Sequence, residues 1–114
     1  MNWYIAKLVF QIINNSETHQ FEEQLRLIVA NDYKEAMAKA GLIGLEGEDE
    51  FLNIDNHRVY WKFKGITNLH LLQNLNHGAE LCSTIIEKHP ADRYPETIKL
   101  KNSELTANLV ATYN

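Results

Sequence analysis

Between residues 3 and 30, apolar and polar positions alternate in two runs separated by a polar stretch. In residues 3–13, Tyr4, Ala6, Leu8, Phe10 and Ile12 alternate with Ile5, Lys7, Val9 and Gln11. In residues 21–30, Phe21, Leu25, Leu27 and Val29 alternate with Glu22, Gln24, Arg26 and Ile28. Side chains two apart share a face of a strand, so the pattern predicts a β-hairpin with its turn in residues 14–20. A turn centred near residues 16–17 sets Phe10 opposite Glu23 and Leu8 opposite Leu25. The predicted core face is then Tyr4, Phe10, Leu25 and Val29. Glu23 interrupts that face; near the hairpin tip it is expected to be hydrated, and the rival expectation is a polar or ligand pocket there. The other face carries Trp3, Ile5, Val9, Ile28 and Ala30 together with Lys7, Gln11, Gln24 and Arg26. It is too apolar for a freely solvated surface and too polar for a deep core. A covering helix from the C-terminal segment or a contact with a second copy would suit it.

Downstream, Asp32 and Glu35 form a capping-box pattern ahead of a stripe of Tyr33, Ala36, Met37, Ala40 and Ile43, predicting a helix over residues 32–44 that stops at Gly44. Residues 45–55 are acidic and punctuated, with Glu46, Glu48, Asp49 and Glu50 around Gly47, and read as a solvated loop. A calcium loop needs ligands at alternate positions ending in a bidentate glutamate, an order absent here. Val59, Trp61 and Phe63 alternate with Tyr60, Lys62 and Lys64 in a third strand, 58–64. Gly65 marks a bulge, and residues 66–72 continue the strand, although Leu69, Leu72 and Leu75 also suit a helical turn. Residues 74–78 supply turn chemistry, and 79–87 read as a fourth strand. Asp92 and Pro95 open a last helix carrying Tyr94, Ile98, Leu105 and Leu109, which Asn102-Ser103 could break in two.

The order is β-β-α-β-β-α. Short polar turns between sequential strands give an α+β fold: a mainly antiparallel four-stranded sheet packed by one or two helices. A chain of 114 residues corresponds to a single domain, 1–114, with room for a core. Its composition, 45% hydrophobic and 23% charged, is that of a globular protein, with no apolar run long enough for a membrane span. The first ten residues begin a strand and carry no basic segment before an apolar one, so no secretory signal is expected. The single cysteine, Cys82, excludes an internal disulfide and fits a cytoplasmic location. Fifteen acidic against eleven basic residues give a charge of −4. The basic residues are scattered, which argues against nucleic acid as a partner.

Several motifs resemble a family of short bacterial proteins. They are Trp3-Tyr4-Ile5-Ala6-Lys7-Leu8-Val9-Phe10, Phe21-Glu22-Glu23-Gln24-Leu25-Arg26-Leu27-Ile28, Glu35-Ala36 with Lys39-Ala40, Trp61-Lys62-Phe63, and Gly78-Ala79-Glu80-Leu81 followed by Ser83. The family is catalogued as domain of unknown function 4288, and the resemblance runs over residues 3–98. Where members often carry an aromatic residue after Glu80-Leu81, this chain has Cys82. The resemblance implies a single-domain, cytoplasmic bacterial protein and transfers no catalytic or ligand residues.

The chemistry-bearing residues favour bland roles. His19, His57, His70, His77 and His89 lack the spacing of a metal site, so no metal or cofactor is expected. Cys82 with His77 lacks an electropositive setting and reads as a small, semi-buried filler. Ser83 has no Gly-x-Ser-x-Gly elbow. The sequence therefore points to a non-enzymatic protein-interaction module acting as a homodimer, with an acidic surface suited to a protein partner. Neutralisation of a basic partner, as immunity proteins do, is one version, resting on size and charge. Its interface residues would be Trp3, Ile5, Lys7, Val9 and Ile28. The competing class is a small-molecule-binding protein or minor enzyme with a pocket near Glu23, Tyr60, Trp61 and Glu80.

Overall fold

A computed structural model describes residues 1–15, 19–87 and 93–113, with side chains through residue 109. The element order is β1 (Asn2–Ile13), β2 (Gln20–Ala30), α1 (Tyr33–Glu46), β3 (Asp49–Leu52), β4 (Arg58–Leu72) and α2 (Tyr94–Tyr113). The four strands form one antiparallel sheet in the order β2-β1-β4-β3. The α+β class and the β-β-α-β-β-α order follow the sequence expectation. The chain forms two compact units, Met1–Cys82 and Ser83–Asn114.

In the first unit, Tyr4, Ala6, Leu8 and Phe10 alternate onto one face of β1, where Ile28 and Ala30 of β2 join them. Helix α1 covers this face with Ala36 and Ala40, both fully buried, and with Gly44. Residues four apart lie on one side of a helix, so these small residues form a stripe that lets the backbone approach the sheet. The approach is close at Gly44, where an added Cβ would lie 2.4 Å from Phe63 Cε1. Gly44 is therefore a packing residue inside the helix, and the expected stop moves to Gly47, whose N–H donates to the Ile43 and Gly44 carbonyls at 3.0 and 3.1 Å.

The start of α1 obeys the capping chemistry with one displacement. Asp32 Oδ1 accepts from the Glu35 N–H at 2.8 Å, and Glu35 Oε2 accepts from Asn31 N–H at 2.9 Å, one residue ahead of the cap. Lys39 then pairs with Glu35 at 3.0 Å and donates to the Val29 carbonyl at 2.7 Å, tying the helix to β2.

Three expectations need correction. The hairpin register pairs Phe10 with Glu22 and Leu8 with Gln24, one residue away from that expected. A slip of one residue exchanges the two faces of a strand. Ile28 and Ala30 are accordingly core, whereas Phe21, Leu25 and Leu27 are 57%, 60% and 59% exposed on the opposite face. The expected fourth strand at 79–87 has no regular structure; the short β3 takes its place, inside the acidic stretch read as a loop. Cross-strand contacts hold β3: Phe51 stacks on Trp61 at 5.5 Å, and Glu50 pairs with Arg58. Beyond it, residues 53–57 turn through Asn53, whose Oδ1 accepts from the Asp55 and His57 amides at 3.0 Å, and through Asn56 at φ 65°. Asparagine tolerates that left-handed conformation.

Strand β4 continues through Gly65 to Leu72, with register shifts opposite Lys7/Leu8 and Val9/Phe10 that leave Thr67 and Lys64 as extra residues. In the second unit, α2 runs without a break through Asn102-Ser103, with Pro95 in its first turn. Asp92, its expected cap, lies outside the described residues.

Candidate functional site

The sheet face opposite α1 is where the sequence places its unassigned apolar residues. The ladder sets Trp3 beside Val29, Ile5 beside Leu27 and Lys7 beside Leu25 on β1 and β2. On the other flank of β1, Leu72 of β4 lies beside Trp3, His70 beside Ile5 and Asn68 beside Lys7. Ile5 and Leu72 are buried, Lys7 and Val9 are half-buried, and Trp3, Phe21, Leu25 and Leu27 are exposed. Exposed apolar side chains grouped on one sheet face are a feature of interaction surfaces. Toward the hairpin end the same face turns polar: Val9 lies beside Glu23, and Gln11 lies between Phe21 and Lys62. Glu23 is exposed, as its position near the tip predicts, and its carboxylate lies 3.7 Å from Lys7 Nζ. Such a surface ion pair contributes about 0–1 kcal/mol.

The sequence-derived interface set divides here. Trp3, Ile5, Lys7 and Val9 share this face, whereas Ile28 is 2% exposed in the core beneath α1. Leu25 and Leu27, assigned to the core from the sequence, replace it.

The four candidate pocket residues are not brought together. Glu23 is on the open face with Lys7. Tyr60 lines a depression with Ile13, Asn14, Asn15, Asn56, His57 and Arg58, where Asn15 Nδ2 and His57 Nδ1 are 3.1 Å apart. Trp61 lies on the α1 side of the sheet, in a groove of about 290 Å³ with Glu22, Gln24, Gly47, Asp49 and Phe51. Glu80 lines a further depression with Leu71, Gln73, Asn74, Asn76 and Ala79.

Among the described residues, no group of three His, Cys, Asp or Glu side chains is arranged to hold a metal. His57 meets Asn15, His70 sits on the open sheet face, and His19 and His77 are exposed; His89 lies outside the described residues. Cys82 is exposed, contrary to the semi-buried filler expected. The acidic stretch has local structural roles. Glu48 Oε2 accepts from the Phe63 N–H at 3.0 Å, Asp49 Oδ1 accepts from the Glu50 N–H at 2.8 Å, and Glu50 pairs with Arg58. The Asn31 N–H and then the Lys39 ammonium hold the Glu35 carboxyl below the ordinary value of 4.5. It shapes the helix start and faces no depression described above. No described helix is long and apolar enough to cross a membrane.

Compared with known families, residues 3–83 match the model of the family described as domain of unknown function 4288. The matched region ends within one residue of the first compact unit, so the family corresponds to the four-stranded sheet with α1 and the segment that follows β4. No curated protein and no solved structure matches the chain.

Proposed function

The chain belongs to the domain of unknown function 4288 family, and we propose that this member is a non-enzymatic protein-interaction module that works as a homodimer. One observation carries the reading: Trp3, Phe21, Leu25 and Leu27 stand exposed on one face of a sheet whose other face is filled by α1. Truncating or charging side chains in such a patch removes the apolar area that drives association. The Lys7–Glu23 ion pair lies on the same face between Phe21 and Leu25, so apolar and charged groups are mixed there as they are in protein interfaces. A reducing compartment such as the cytoplasm suits the exposed thiol of Cys82.

Light scattering across a concentration series tests the proposal. The full chain is expected to associate reversibly, and Leu25→Glu with Leu27→Glu is expected to leave it monomeric while its circular dichroism is retained. A chain that is monomeric at every concentration and captures no protein partner overturns the proposal.

A second reading, small-molecule binding, rests on the groove where Phe51 and Trp61 stack beside Glu22 and Asp49. Aromatic faces next to carboxylates suit an organic cation. Its volume is at the small end for ligand sites. Quenching of Trp61 fluorescence by an alkylammonium probe, lost in Trp61→Leu, would favour this reading over the first.

A further inference from the structure

The sheet has unequal edges. Strand β3 is four residues long and carries Asp49 and Glu50. The outer side of β4 beyond it is interrupted at Lys64 and Thr67 by register shifts, and its Phe63 N–H is already taken by Glu48. Short length, charge and bulges are the ordinary means by which a sheet edge avoids pairing with another chain. Strand β2 differs: it runs eleven residues, pairs with β1 without a register shift, and among the described residues has no strand on its outer side.

What β2 shows along that edge is a charge sequence. Glu22, Gln24 and Arg26 alternate onto one face, and Gln24 links them. Its Oε1 accepts from Arg26 Nε and Nη2 at 3.1 and 2.9 Å, and its Nε2 donates to Glu22. The face reads negative, neutral, positive. An antiparallel copy reads the same sequence reversed, so the ladder is complementary to itself.

We infer that two copies of this chain pair antiparallel through their β2 edges, in the register that sets Gln24 opposite Gln24 of the second copy. This rests on the homodimer reading above and specifies its geometry. Two-fold antiparallel pairing places side chains of one parity opposite one another, so registers change in steps that move the centre by one residue. Centring on Gln24 sets each Glu22 opposite an Arg26 and leaves no like charges facing. Directly opposite charges across strands attract, and like charges repel. Centring on Glu22, Glu23 or Arg26 places that charge against itself. Centring on Leu25 brings Phe21 opposite Val29, whose carbonyl already accepts from Lys39. The Gln24 register uses residues 20–28 and stops short of that carbonyl. It also sets Phe21 beside Leu27 of the second copy on the open face, joining the two exposed apolar groups across the axis. The two four-stranded sheets become one.

Sedimentation velocity on the full chain tests the register by charge exchange. Glu22→Arg and Arg26→Glu, each alone, put like charges face to face at both positions and are expected to weaken self-association by about tenfold or more. Mixed together they are complementary at both positions, and the heterodimer is expected to form within about twofold of the parent affinity, as is the homodimer of the double variant. These magnitudes follow from the size of opposite-charge cross-strand pairs. Cross-linking provides a check independent of those variants. Residues facing each other in an antiparallel pair are roughly 4.5–5.5 Å apart at Cα, within disulfide range. Gln24→Cys in a Cys82→Ser background is therefore expected to oxidise to a covalent dimer, and Leu42→Cys on α1 in the same background is not. A chain that self-associates, gains nothing from mixing the two charge variants and forms no bond at residue 24 overturns the edge register while the interaction reading stands. A chain monomeric at every concentration overturns the edge register and the homodimer reading together, and one that also captures no protein partner overturns the interaction reading.

Discussion

Gly41 and Gly44 lie within one turn of α1 and respond to the same methyl group in opposite ways. At Gly41 an added Cβ meets nothing within 4 Å, so Gly41→Ala gains helix propensity and restricts the unfolded chain. Stability is expected to rise by about 0.5–1 kcal/mol. At Gly44 the same change drives a methyl into the Phe63 ring, and overpacking of this kind costs roughly 1–3 kcal/mol, more than the propensity gained. Urea unfolding of both variants checks the pair; equal stabilisation by both would show that α1 does not pack as described. The sequence alone reads Gly44 as a helix stop because glycine is common at that position. Its real role depends on Phe63, which β4 brings from a distant part of the chain and which no local pattern reveals. Glu23 was easier to read. A carboxylate near a hairpin tip has water available, and it is exposed whichever face it occupies.

The elements fall into those decided locally and those decided by partners. The capping of α1 was legible because Asp32 and Glu35 act within one turn of their own chain. It also carries a pH dependence. The Asn31 amide and Lys39 hold the Glu35 carboxyl below its ordinary 4.5, so the charged form is favoured by folding. That contribution is complete above pH 4.5 and is lost as pH falls through the lower, folded value. Glu35→Gln is therefore expected to flatten stability against pH below 4.5 relative to the parent, with little slope difference above pH 6. Denaturant midpoints measured across that range check it. Strand β3 was not legible. Four residues are too few for an alternation to show, and its acidic side chains read as solvated until Phe51 meets Trp61 and Glu50 meets Arg58. Conversely, Leu81, Ser83 and Ile85 alternate as a strand would, yet residues 79–87 pair with no strand. Alternation permits a strand, and only an available edge makes one.

For the molecule as a whole, the buried hydrophobic residues among those described all fall between Tyr4 and Leu72, inside the matched family region. A chain ending at Ser83 is therefore expected to unfold cooperatively. Its midpoint should lie within about 4–8 °C of the full chain, the shift that about 1 kcal/mol produces in a domain of this size. Loss of the cooperative transition on calorimetry would show that the C-terminal segment completes the core. The sequence by itself determined the hairpin, the capped helix, the third strand with its bend and the antiparallel α+β class. Each of these is encoded in spacing along a single segment. Only the tertiary structure decided which face of β2 is buried. Both of its faces carry apolar and polar groups, and Ile28 and Ala30 are the β2 residues in the buried cluster with α1, so hydrophobic alternation left the register weakly specified. That one-residue choice takes Leu25 and Leu27 out of the core and places them beside Lys7 and Ile5, and with them the surface on which the proposed function rests.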